Sequence, residues 1–352
     1  MSIDGQVSSG TEFELAIQEE SALGTPETTA ASFQRLHQPE NAEYDLSGLT
    51  DDDTPRMQGQ RVPQNTDRFF TKAGGVVLQP FNAIATKLTL DFFLYGNMQD
   101  IESEGVSTPF AKIFTWNRDT TQPLFTDNTG KFFTVVGKNP LASEDLIMTS
   151  AIIPTLNLSS DPGTNGGRLT MSGNIMSGFT SSGKFDESGS QSITGATEPG
   201  TDFFHHCKMV TKQLGGVDLI VASYNIALNS KGVRQGCDVN GDAQTYALGV
   251  GNYEATGTIR CLYDNNTKGV ITNFMTSAFD TQLVLAYGSG NAPVDTDGDL
   301  MFQMNVGVAQ PVRDFAAAEG TMIDIPFVCR DDGTNDMIEA QIANAQDRAW
   351  TA

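Results

Sequence analysis

The chain has 352 residues, with 43 Asp and Glu against 21 Lys and Arg, for a formal net charge of −22, and 39% of it is hydrophobic. That length and apolar content suffice for a buried core, whereas the shortage of cations argues against wrapping a nucleic-acid backbone or docking on an anionic membrane. No apolar run approaches the roughly 18 residues of a spanning helix, and residues 1–10 carry Asp4 and no basic residue, unlike a signal peptide. The expectation is a product that stays where it is made, with Cys207, Cys237, Cys261 and Cys329 as reduced, mostly buried thiols.

Taken in chain order, residues 51–68 (DDDTPRMQGQRVPQNTDR) read as a long polar loop, and 80–98 as a helix too densely apolar to be solvated. Short alternating runs bounded by Gly, Asn, Asp and Ser come next, at 152–158, 169–176, 223–228, 255–263, 282–287, 300–306 and 322–328, the pattern of antiparallel strands. Within 258–263, Ile259, Cys261 and Tyr263 fall on one face and Thr258, Arg260 and Leu262 on the other. A second helix is expected at 267–278, where Val270, Ile271, Phe274 and Met275 form a narrow stripe for packing on a sheet. The reading is mainly β, with one or two flanking helices.

Residues 177–200 are Ser- and Gly-rich and nearly devoid of core residues, so the boundary falls there. The expected organisation is a first β domain over 1–176, with an insertion at about 100–144, a connector over 177–200, and a second β domain over 201–352. An order of strand, basic loop, glycines, apolar body and final Tyr-Gly occurs in both parts, ending at Tyr95-Gly96 and Tyr287-Gly288. Tandem duplication is one account of this order and chance recurrence the other.

Chemical signatures are weak. Gly178 to Phe185 nearly spells a phosphate-binding loop, but Phe185 stands where the magnesium-holding hydroxyl belongs. His205-His206-Cys207 offers three metal-ligand types in a row, of which at most two share a side of a strand. Asp295, Asp297 and Asp299 resemble a calcium loop, yet the twelfth position is Val306 rather than glutamate; a hairpin turn explains the same residues, as it does for Asp238 to Asp242. With three histidines and no GxSxG elbow, nothing points to an enzyme, and no catalytic, cofactor-binding or metal residue is assigned.

The stretch AIQEESALGTPETTAASFQRL at 16–36, the loop bearing Arg56 and Arg61 running into Gly74-Gly75, and the region 218–338 with its Gly-x-Gly-x-Tyr-x-x-x-Gly strand (Gly249 to Gly257) together resemble major tail tube proteins of long-tailed, siphovirus-like bacteriophages. The hairpin at 147–178 is similar to that family's middle hairpin. The resemblance covers about two-thirds of the chain and leaves 100–144 and 177–200 without counterpart. It implies an antiparallel β-sandwich or half-barrel that joins neighbours edge to edge into rings, three copies if the chain is duplicated and six if not, stacked into a tube. The loop at 51–68 resembles the stacking loop, with Asp51, Asp52 and Asp53 beside Arg56, Arg61 and Arg68 as both signs of inter-ring ion pairs.

The same resemblance implies a non-enzymatic virion protein assembled in the host cytoplasm, with no cofactor. Its partners are itself, a tape-measure protein and a tail terminator, and DNA passes through an acidic lumen without specific binding. Alternatives are another virion protein, such as a decoration or fibre subunit, and a carbohydrate-binding β-sandwich adhesin. The latter needs exposed stacking aromatics, and Trp116 and Trp350 each stand alone.

Overall fold

Apolar residues at every second position give strands that each bury one face, and antiparallel pairing satisfies their backbone groups. The computed structural model describes residues 14–21, 26–29, 33–37, 50–52, 69–71, 77–98, 101–105, 107–116, 132–138, 145–177, 185–186, 197, 200, 202–231, 233–235, 247–249, 253–276, 280–290, 292–314, 320–334 and 336–346. Among the described residues the chain is mainly β with two α-helices, and eighteen of the strands belong to one continuous hydrogen-bonded network.

The first layer is a run of six strands paired in the order β5 (Val77–Ile84), β10 (Thr170–Ser177), β9 (Asp145–Ser160), β14 (Val221–Asn229), β17 (Glu254–Leu262) and β21 (Met322–Cys329). The second runs β12 (Met209–Leu214), β18 (Asp280–Tyr287), β19 (Leu300–Val308), β22 (Ile338–Asn344), β7 (Phe110–Trp116) and β6 (Ile101–Glu104). β19 joins the layers: its residues 300–304 pair with β22 and 306–308 with β21. The two layers close over one continuous core to make a sandwich, with Tyr224 on β14 meeting Tyr287 on β18 at 2.6 Å between their hydroxyls. All seven strands expected from the alternation are present. Pairings β9–β14 and β7–β22 carry the sheet across the expected boundary at 177–200, so the stretches before and after it share one core.

A smaller sheet is built on the N-terminal half of β9. β2 (Gln34–Arg35) pairs with β1 (Glu14–Glu19), β1 with β8 (Phe133–Lys138), β8 with residues 145–151 of β9, and β11 (Phe185–Asp186) with residues 145–146. β9 serves both sheets by bending at Ser150, whose φ is +50°. The buried Glu20 carboxylate holds that bend, accepting the Ser150 N–H at 2.7 Å, the Ser150 hydroxyl at 2.8 Å and the Thr134 hydroxyl at 2.7 Å. Burial pushes the Glu20 carboxyl above its ordinary range, and those three donors oppose the shift. From the expected connector, Phe185 and Asp186 lie against β9, and Thr197 pairs with Gln34.

The helix expected over 80–98 is divided. Val77–Ile84 is a strand, with Phe81 and Ala83 buried and Pro80 and Asn82 outward, and α1 covers only Leu90–Met98. The apolar density belongs to two elements: a half-buried strand, and a nine-residue helix buried on every side. Both helices open alike. Thr86 and Thr89, two residues past β5, share a hydroxyl–hydroxyl bond of 3.0 Å, and Thr89 accepts the Thr86 N–H at 3.1 Å. Two residues past β17, Asp264 accepts the Thr267 N–H at 2.9 Å and Thr267 accepts the Asp264 N–H at 2.7 Å, a capping box opening α2 (Asn265–Thr276). Val270 and Ile271 of α2 enter the core, as expected of the stripe.

α1 is anchored by polar groups as well as by Leu90, Phe92, Phe93, Leu94 and Tyr95. Asn97 donates to the Ile153 carbonyl at 2.9 Å, and the Trp116 indole donates to the Met98 carbonyl at 3.2 Å. Asp91 and Lys112, both wholly buried, form an ion pair at 2.8 Å. Lys112 also donates to Asn344 Oδ1 and the Gln346 carbonyl, each at 3.0 Å, and Asn344 returns a bond to Asp91 at 2.9 Å. The pair is tolerated because its remaining hydrogen-bonding capacity is met.

Candidate functional surface

The outward positions of the first layer are chemically uniform. On β9, Thr155, Asn157 and Ser159 alternate with buried Leu156 and Leu158; on β14, Asn225, Ala227 and Asn229 alternate with buried Ile226 and Leu228. The register aligns these positions into rows. One runs Asn82, Ser172, Asn157, Ala227, Thr256 across five strands, and the next Pro80, Asn174, Thr155, Asn229, Glu254. Side chains bond to their neighbours across the strands: Ser159 and Thr170 hydroxyls meet at 2.7 Å, and Asn225 Oδ1 accepts the backbone N–H of Thr258 at 2.9 Å.

The cations within these rows are paired. Arg260 reaches Asp314 at 3.0 Å and Asp324 at 3.2 Å, and Lys231 pairs with Glu254. The result is a broad face dominated by short, neutral polar side chains on a strongly acidic chain, with Glu254 and Lys231 paired within it. A cavity of about 370 Å³ indents one end of it, walled by Ser159, Asp161, Arg168, Ser223, Arg260 and Asp324 over Tyr224.

Two ribbons stand apart from the main sheet: β3 (Thr50–Asp52) with β4 (Phe69–Thr71), and β15 (Val233–Gln235) with β16 (Ala247–Gly249). The stretches between their paired strands, 53–68 and 236–246, are polar in sequence and lie outside the described residues. Of the residues expected to make inter-ring contacts, Asp51 and Asp52 lie on β3 opposite Phe70 and Phe69. Asp53, Arg56, Arg61 and Arg68 lie outside the described residues. The chain reaches β5 six residues after the first ribbon and β17 five residues after the second, which limits each span to about 22 Å. β5 and β17 run in the same direction, with Pro80 and Glu254 in one cross-strand row, so both ribbons serve the same end of the first layer.

Beneath the face lies a polar chain. His206 Nε2 sits 3.0 Å from the Val221 carbonyl, which requires the proton on Nε2, and Nδ1 accepts the Ser160 hydroxyl at 3.0 Å. Ser160 also meets Tyr287, which meets Tyr224. Burial lowers the His206 pKa and raises those of both tyrosines. A Ser–His contact suggests a nucleophile and base, but Ser160 is 1% exposed and lines no cavity among those described, and the second imidazole nitrogen is held by a backbone carbonyl. The chain ties the two layers together.

The other candidates are dispersed. His205 is half-buried and Cys207 exposed, so the His-His-Cys run points three ways. Asp299 accepts the Ser289 N–H at 2.7 Å and the Ser289 hydroxyl, Asp297 pairs with Lys87, and Asp295 accepts the Thr296 hydroxyl, which makes 288–299 the turn between β18 and β19. Among the described residues, no three His, Cys, Asp or Glu cluster closely enough to hold a metal ion. Residues 178–184, 236–246 and Trp350 are outside the described residues, as is Cys237; Cys261 and Cys329 are buried free thiols pushed up to about 12 by desolvation. Trp116 is buried and stacks on Tyr253 at 4.5 Å, leaving no ring face for a sugar. The chain matches no protein-family model and no curated protein.

Proposed function

We propose that this chain is the structural subunit of a bacteriophage tail tube: a β protein that closes into rings and stacks them into a conduit for DNA. The observation that carries the reading is the pair of ribbons served by one end of a sheet whose outer face is broad, polar and rich in short neutral side chains. A sheet of this kind continues edge to edge in neighbouring copies, and loops at one end engage the ring beyond. The recurrence of ribbon, strand, capped helix and antiparallel strand pair in β3–β7 and in β15–β19 favours a tandem repeat, hence rings of three copies.

The polar face is the lumen lining in this reading. Its non-adhesive character comes from small neutral side chains with paired cations, rather than from the excess of acid expected of the lining. Phosphates find no counterion to displace along those rows. A tape-measure protein during assembly and a terminator at the tube's end complete the partners, and the site of action is the virion tail.

Negative-stain electron microscopy of the purified chain over a concentration series tests the proposal. Stacked rings or hollow tubes with threefold end-on averages are expected. Reversing Arg56, Arg61 and Arg68 to Glu should leave single rings and abolish stacking. Monomers at every concentration, even with purified tail-tip complexes added, would overturn it.

A further inference from the structure

A second cavity, about 750 Å³, shares Arg168 with the first and concentrates cations on a chain with twice as many acids as bases. Its wall is built by short backbone pairings that bring distant residues together. Arg168 bridges to His205, Leu169 donates its N–H to the Phe204 carbonyl at 2.8 Å, and Thr86 bridges to Phe203. Arg168 therefore stands beside the 203–208 segment, its guanidinium 4.4 Å above the centre of the Phe203 ring. Stacking fixes the plane of that group and leaves its N–H edge available, since no carboxylate among the described residues pairs with it.

Lys208, exposed on the turn after His205, adds a second cation without an acid partner among those residues. The two carboxylates on the cavity wall, Asp202 and Asp297, are both taken by Lys87, at 2.9 and 2.6 Å. Half-buried Phe203 and exposed Val210 supply apolar surface beside the charges, with Phe204 and Tyr287 buried behind them, and Gly166, Gly288 and Gly298 add lining without side chains.

Two cations without an acid partner among the described residues, on the wall of one cavity of small-molecule size beside the Phe203 ring, suit one ligand chemistry. We infer that this cleft binds a small organic oxyanion, a phosphate or carboxylate carried on an apolar or aromatic body. Arg168 and Lys208 hold the charged end, and Phe203 and Val210 pack against the body. The inference does not rest on tube assembly, and Arg168 belongs to the walls of both cavities.

Isothermal titration of the full chain with phenyl phosphate, benzoate, inorganic phosphate and benzyl alcohol tests it. Phenyl phosphate or benzoate should bind with a stoichiometry of one and more tightly than inorganic phosphate, which lacks the body, and benzyl alcohol, which lacks the charge. Which of the two aryl anions binds more tightly tells phosphate from carboxylate chemistry. Arg168→Gln should weaken binding about tenfold or more. Lys208→Gln, an exposed change that leaves the Phe203 stack intact, should weaken it severalfold and guards against a folding defect in the first variant. No saturable binding of either aryl anion, or binding indifferent to both substitutions, would overturn the inference.

Discussion

Gly257 and Gly173 occupy places where a methyl group has no room. A Cβ on Gly257 would overlap the Asn225 carbonyl oxygen and the Phe327 ring; one on Gly173 would overlap the Thr155 carbonyl oxygen. Each glycine faces a phenylalanine across a strand pair, Phe327 on β21 and Phe81 on β5, whose ring atoms come close to where the side chain is missing. Gly173→Ala and Gly257→Ala should each cost about 3 kcal/mol in urea denaturation, since the obstructing atom is backbone in both cases. Values near zero would show that the strands part to admit the methyl. His206 makes a second prediction at this scale. Its folded pKa is depressed, so the unfolded chain takes up a proton first as pH falls below about 6.5. Stability from this group is complete above that pH and is lost as pH falls toward the folded value, with a slope of at most about 1.4 kcal/mol per pH unit. Denaturation midpoints from pH 8 to 5 should decline in the native chain and decline less in His206→Gln.

Among the elements, the strands that alternate cleanly are legible in the sequence, and β7 shows why others are not. Its FAKIFTW places Lys112 at a buried position, which a hydropathy reading takes as a solvated break. The acid that neutralises it, Asp91, is on α1, and the amide completing the cluster, Asn344, is on β22. Lys112→Met should therefore destabilise by about 3–5 kcal/mol by stranding the Asp91 carboxylate, and adding Asp91→Asn should restore much of the loss. The boundary between β5 and α1 has a readable mark in Thr86-x-x-Thr89, overshadowed by the apolar residues on both sides. The polar face is half legible: each strand shows its Asn, Ser and Thr at alternate positions, but only the order of pairing reveals that they fall side by side. Arg168, His205 and Lys208 carry no shared signal, because the cleft that gathers them depends on bridges between segments far apart in sequence.

For the whole molecule, the decisive fact is that each layer joins strands from before and after residues 177–200 through one pairing, β9–β14 in the first and β7–β22 in the second. β14 covers the edge of β9, and β22 lies between β7 and β19. A fragment of residues 1–200 would expose both edges and the apolar residues behind them, and should be recovered as aggregate. Co-expression with residues 201–352 should restore a soluble complex with a single unfolding transition. A soluble, cooperatively folded 1–200 fragment would instead show that each stretch has a self-sufficient core.

The position of β22 also sets a clock on biosynthesis. β7 leaves the ribosome roughly 220 residues ahead of the strand that pairs with it, an interval of roughly 10–45 s at about 5–20 residues per second. Through that interval Lys112 lacks Asn344, and one edge of β7 lacks its partner. A nascent chain of this protein is thus most in need of a chaperone late in translation, and a message truncated before codon 338 yields a product that no amount of waiting will mature.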